Sequence, residues 1–268
     1  MAEPSMASAD ARMGNPLPES RSVGAGRGTS WWVEAWRLFT PNAGTWVLIA
    51  LVLCGLILLA GVVGMIPLLG QLTGLAAEIL WPVLIGGLML GCRAIDRGNP
   101  LLIAHLFAGF QQRTGALVMA GAIYTGLLLV ISIAIGAMMI AMFGVSILSV
   151  LTGAADPSQI GIAYGSAVVA VLLGLLFFLL LLLPLIMAIW FAPALIMLGG
   201  MSPVEAMKAS LIACARNMVP FLVYGAIGMV LAILASIPFG LGWLVLVPVA
   251  IASVYASYCD IFEDRDGL

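Results

Sequence analysis

Six long apolar runs separated by short polar stretches dominate the chain, covering residues 45–66, 70–91, 115–143, 161–198, 219–237 and 241–259. Each exceeds the roughly 17 residues that a helix needs to cross a hydrocarbon core, so each predicts a transmembrane helix. The run 161–198 is the longest. As one helix its roughly 38 residues rise about 57 Å, well past a core of about 30 Å. Residues 177–190 offer no polar turn, so the run is read as a single helix kinked at Pro184 or Pro193.

Taken in pairs, the runs form three hairpins, each preceded by a short amphipathic segment. In the first segment Trp32, Ala35, Trp36 and Phe39 share a face, with Glu34 and Arg37 opposite. In the second, Asn99 is placed as N-cap and Pro100 at the first helical position, with Leu102, Ile103, Leu106 and Phe110 facing away from His105 and Gln112. The third opens on a capping box, Ser202-Pro203-Val204-Glu205. Asn99 and Ser202 are each followed fourteen residues later by an arginine, Arg113 and Arg216. The strings Pro82-Val83-Leu84-Ile85, Pro193-Ala194-Leu195-Ile196 and Pro248-Val249-Ala250-Ile251 recur in the returning helices. A diverged threefold repeat accounts for these matches; the general abundance of Pro and Gly in membrane helices is the other explanation of the proline strings.

The expected fold is therefore all-α: a polytopic transmembrane bundle of six helices in three hairpins, each led by an interfacial amphipathic helix. Residues 1–29 lack apolar content and are expected to be a disordered, dispensable lead, 30–262 a single transmembrane domain and 263–268 an acidic tail. The lead is too long and polar for a secretory signal.

Charge orients this bundle. All ten Lys and Arg residues fall in the lead, in the stretches after the second and fourth spans, or in the tail. The positive-inside rule then puts both termini in the cytoplasm. With 63% hydrophobic and 8% charged residues, the chain offers no basic surface for nucleic acid, and no cofactor motif stands in it.

At Trp36-Arg37-Leu38-Phe39, Gly91-Cys92-Arg93-Ala94-Ile95-Asp96-Arg97-Gly98, His105-Leu106-Phe107-Ala108-Gly109-Phe110 and Phe191-Ala192-Pro193-Ala194-Leu195, the chain resembles an uncharacterised family of proteobacterial integral membrane proteins. Ser253-Val254-Tyr255-Ala256-Ser257-Tyr258 and Asp260-Ile261-Phe262 are similar to that family's end. The likeness spans residues 31–262 and implies a multi-span helical fold in the bacterial inner membrane, without an activity whose residues could be carried over. More loosely, the plan is similar to membrane domains fused to glycerophosphodiester phosphodiesterases, although the phosphodiesterase domain itself is missing from this sequence.

Few residues offer chemistry. Glu78 is the one ionisable side chain well inside a span, about 12 Å from the helix end. It is either a proton or cation site, with Gln71, Thr73 and Trp81 near it, or a neutral acid bonded to a neighbouring helix or reaching the interface. Arg93, Asp96, Arg97 and Asp260, with Glu263 and Asp264, stand where two helices leave the membrane. They form ion pairs between helix ends or a site for anionic headgroups. Trp31, Trp32, Trp36, Phe39, His105 and Phe110 are expected as interfacial anchors. Cys54, Cys92, Cys214 and Cys259 lack the short-spaced pairs of a zinc site, and no metal is expected. Glycine pairs four apart, at Gly70 and Gly74, Gly87 and Gly91, and Gly161 and Gly165, predict close helix packing.

Three functions follow in order: a membrane scaffold or accessory subunit engaging lipids or an unidentified membrane-protein partner, a small-solute or ion transporter using Glu78, and an intramembrane enzyme. No nucleophile, base and metal arrangement supports the last, so the chain is not expected to be an enzyme.

Overall fold

The computed structural model describes residues 20–151 and 157–263. Among them the chain is helical, without strands: α1 Arg27–Phe39, α2 Ala43–Gly64, α3 Leu69–Asp96, α4 Thr114–Leu151, α5 Pro157–Trp190, α6 Ala192–Met197, α7 Pro203–Arg216, α8 Met218–Ser236 and α9 Trp243–Phe262, with a 3₁₀ segment at Ile103–Phe110. Six helices are long and apolar enough to cross a membrane. Their outward faces carry large bare side chains such as Leu58, Val130, Leu176 and Ile233, which lipid covers at no cost. A helix also satisfies its own backbone there.

Three units repeat around the bundle. Each contains an amphipathic element (α1, the 3₁₀ segment, α7), an outgoing helix (α2, α4, α8) and a returning one (α3, α5 with α6, α9). The amphipathic element of each unit lies against the returning helix of the unit before it: the 3₁₀ segment on α3, α7 on α5 and α6, and α1 on α9. Since α1 belongs to the first unit and α9 to the last, the ring closes. The returning helices make its centre, with α3 touching both α6 and α9.

Backbone turns enforce this arrangement. The α3 helix ends in a Schellman motif: Gly98 takes φ 79°, its N–H donates to Ile95 O and the Asn99 N–H donates to Ala94 O. Asn99 thus terminates α3 and does not cap the next helix as expected. The element that follows begins only at Ile103 and winds as a 3₁₀ helix. Its backbone is pressed against α3, where a side chain on Gly87 would strike His105 O and one on Gly109 would strike Val83 O. The expected capping box of α7 is formed, with the Glu205 carboxylate accepting from the Ser202 hydroxyl at 2.7 Å.

The long fourth run is continuous through Pro184 and breaks at Phe191, ahead of Pro193. There the Ser210 hydroxyl of α7 enters the helical ladder. It accepts from the Phe191 N–H at 2.9 Å and donates to Met187 O at 2.6 Å, replacing the bond those two groups would share. Repeat geometry also corrects the proline alignment. Pro82, Pro184 and Pro248 each stand about four turns from the ends of their returning units at Asp96, Met197 and Phe262. Pro184, and not Pro193, is the repeat's third proline. The helices carrying the third and fourth spans extend past the expected runs where they face each other, α4 reaching Leu151 and α5 starting at Pro157.

Candidate functional site

Two features of this frame carry polar or open structure: a network at the end where the cations gather, and a cleft in the wall of the ring.

The network is built on residues immediately ahead of the outgoing helices. Asn42, before α2, accepts from the Leu101 N–H at 3.2 Å. Arg113, before α4, donates to Gly200 O at 2.9 Å. Asn217, before α8, accepts from the Val23 N–H at 2.8 Å and donates to Arg21 O at 2.9 Å. In every case one unit grips the lead-in of the next, and the third grips the first. Ser20 to Gly26 is therefore part of the fold, and α1 begins at Arg27, so the expected disordered lead extends too far; its residues 1–19 lie outside the described residues, as do 264–268 of the tail.

Asp260 is the hub where α1 meets α9. Its carboxylate accepts from Arg27 Nε at 2.7 Å and from Trp31 Nε1 at 2.8 Å, while Arg21 donates to the backbone oxygens of Asp260 and Glu263. Arg93 pairs with Glu263, and the Tyr255 hydroxyl donates to Asp96 at 3.1 Å. Of the expected cluster, Arg93 and Asp96 thus join the ends of α3 and α9, while Asp260 ties α9 to α1. Arg97 stands exposed and has no ion pair among the described residues.

Half of the expected anchors belong to the core instead. Trp31, Trp32 and Phe39 are buried, because α1 is covered by α8 and α9; only Trp36 and Phe110 are exposed. Trp32 stacks on Tyr224 at 4.7 Å and donates from Nε1 to Tyr224 O. His105 accepts from the Leu102 N–H through Nδ1 at 3.0 Å, and burial pushes its imidazole below the ordinary value. Cys92, Cys214 and Cys259 are buried free thiols. Cys92 neighbours Cys259, whereas Cys214 lies against Met187, its thiol pushed up to about 12 by burial. Among the described residues no three His, Cys, Asp or Glu side chains converge as metal ligands would. Glu78 is exposed on α3, within electrostatic reach of Tyr124 on α4, where Gly121 brings the two backbones together.

The cleft is a break in the repeat. Outgoing helices α4 and α2 close on the returning helices α3 and α9. By the same rule α8 should close on α5. It does so only near one end, where Trp190 meets Phe221 edge-on at 5.8 Å. Beside that contact, at the same end, opens a cavity of about 290 Å³, bounded by Leu183, Ile186 and Met187 of α5 and by Met218, Leu222 and Gly225 of α8. Its rim residues Leu183 and Leu222 are exposed. Behind it, Trp190 and Tyr224 also line a second cavity of about 230 Å³ that extends to Trp81 and Trp243. Trp190 Nε1 is buried without a partner. Sequence reasoning missed Asn42, Asn217, Ser210 and Trp190. Asparagine directly before an apolar run is a readable cap signal; nothing local marks Ser210 or Trp190.

Fold and seam define a multi-pass integral membrane protein. Searches of family models, curated proteins and solved structures gave no match to the chain.

Proposed function

We propose that this protein is a lipid-engaging scaffold or accessory subunit of the bacterial inner membrane, inserted with its basic end toward the cytoplasm. One observation carries the reading: the seam left open in the ring is apolar and faces the surrounding bilayer. Apolar walls suit an acyl chain or an apolar partner helix and offer nothing to a hydrated solute. The cations support the orientation through the positive-inside rule, and several of them are already used in closing the ring. The inner-membrane assignment and kinship with the proteobacterial family rest on the sequence likeness. The reading gives the protein no catalytic role.

Reconstitution into liposomes tests it. The purified chain should carry co-purifying lipid or a membrane partner and should not raise proton or small-cation flux. In a Cys54→Ser background, Met65→Cys should react with an impermeant maleimide from the periplasmic side and Arg97→Cys from the cytoplasmic side; the reverse pattern would refute the orientation.

A transport reading retains one observation of its own. Glu78 lies one turn from Trp81, which lines the inner cavity. Glu78→Gln keeps size and removes the titratable proton. On the scaffold reading it is neutral, and Glu78→Lys disrupts assembly by placing an obligatory charge in the span. Loss of a pH-linked flux in a folded Glu78→Gln protein would put transport first.

A further inference from the structure

We propose that the inner cavity, behind the α5–α8 seam, binds a small quaternary ammonium ion that enters as a free solute from the end opposite the cations. The inference goes beyond the lipid-engaging reading and does not rest on it.

Aromatic side chains from four different helices line this one cavity of about 230 Å³: Trp81 of α3, Trp190 of α5, Tyr224 of α8 and Trp243 of α9. Membrane tryptophans ordinarily spread along interfacial belts; here three of them converge with a tyrosine. Neighbours fix three of the four rings. Trp190 meets Tyr224 edge-on at 6.1 Å, Tyr224 stacks on Trp32 and shares a hydrogen bond with Ser253 Oγ at 2.8 Å, and Trp243 Nε1 donates to the Ser236 hydroxyl at 3.2 Å. Walls held in this way need no ordering when a ligand arrives. Aromatic rings attract cations, and groups of them are the recurring means of holding a quaternary ammonium.

Glu78 adds a carboxylate at the mouth. Trp81, Ile85 and Met89 line the cavity from α3, and Glu78 extends the same helical stripe one turn outward. Height agrees with this placement. Glu78 stands four residues before Pro82 and Trp243 five before Pro248, and the two prolines are equivalent in the repeat, so the levels differ by about one residue's rise of ~1.5 Å. Glu78 is exposed, and Trp81 and Trp243 remain 42% and 43% exposed, which leaves the mouth open. None of the six apolar runs contains a lysine or arginine. The protein therefore supplies no counter-ion for a carboxylate whose charge is costly at this depth. An organic cation does, and a quaternary nitrogen, having no N–H, strands no donor among the aromatic walls. The volume limits its size, since pockets for drug-sized ligands begin near roughly 300 Å³.

Isothermal titration calorimetry of the full-length chain tests this, with choline as the probe and a maltoside detergent, which carries no ammonium of its own. Wild type should bind one choline, and its neutral carbon isostere dimethylbutanol about tenfold more weakly. Glu78→Gln keeps the shape, removes the charge and should weaken choline about tenfold, as should Trp81→Leu and Trp243→Leu. Met229→Leu, exposed on α8 and outside the cavity lining, should bind like wild type. The substituted positions are open at the surface, and a wild-type melting temperature shows that lost affinity is not lost fold. Wild-type affinity in Glu78→Gln and both tryptophan variants overturns the site. Equal affinity for the isostere overturns the assignment to a cation. A wild type that binds no choline overturns the proposal and leaves the lipid-engaging reading standing. Displacement of choline by phosphatidylcholine added to the micelles keeps the ammonium site and overturns the free-solute source.

Discussion

Asn217 accepts a hydrogen bond from the backbone N–H of Val23 at 2.8 Å, joining residues 194 positions apart. The same side chain donates to Arg21 O and to Ala213 O. It is the clasp by which the third unit takes hold of the first, and Asn42 performs the equivalent grip on Leu101 with a single longer bond. Asn217→Ala strands buried donors and acceptors and should lower stability by about 1–3 kcal/mol. Asn42→Ala, losing one partly buried bond, should cost about 0.5–1.5 kcal/mol. Thermal denaturation in a fixed detergent gives the order; an equal or reversed order would contradict the clasp.

Truncation separates the two parts of the lead. A chain beginning at Ser20 keeps the bonds of Ser20, Arg21, Val23 and Arg27 and should melt like the full-length protein. One beginning at Arg27 loses the Arg21 and Val23 contacts, leaves Asn217 unsatisfied, and should be destabilised at least as much as Asn217→Ala. Equal melting temperatures for the two truncations would show that the strap contributes nothing.

The 3₁₀ segment depends on glycine. At Gly109 a methyl group would run into the carbonyl of Val83, while at Gly115 it would meet nothing within 4 Å. Gly109→Ala should therefore cost about 1–3 kcal/mol or more through overpacking. Gly115→Ala, in the first turn of α4, should be neutral or stabilising by up to about 1 kcal/mol. Parallel melting curves decide it, and a tolerant Gly109→Ala would mean that the segment rides clear of α3.

His105 makes the fold sensitive to acid. Burial holds its imidazole below the ordinary value of 6.5, so the unfolded chain takes up this proton first as pH falls. Stability then declines from about pH 6.5 downward and levels off once the folded state is also protonated. Protonation would also remove the Nδ1 acceptor for Leu102. Between pH 7.5 and 5.5, wild type should lose more thermal stability than His105→Gln, which has no such proton. Parallel curves for the two proteins would remove His105 from the pH response.

The sequence by itself determined the class and the count of spans, because helix length against bilayer thickness is a one-dimensional property of composition. It also determined the capping box at Ser202 and Glu205 and the threefold plan, since these are local spacings. The lead shows where that reasoning stopped. Ser20 to Gly26 is polar and reads as unstructured, yet Asn217 and Asp260 supply its partners from 194 and 239 residues away. Trp31 and Trp32 read as membrane anchors for the same reason: an amphipathic face does not say whether lipid or α8 and α9 will cover it. The break at Phe191 follows partly from Pro193, but its completion needs the hydroxyl of Ser210 on another helix. The α5–α8 cleft left no mark at all on the sequence. Whether two apolar helices touch or stand apart depends on how the ring distributes its contacts, and lipid-facing and helix-facing leucines are the same residue until the tertiary structure separates them.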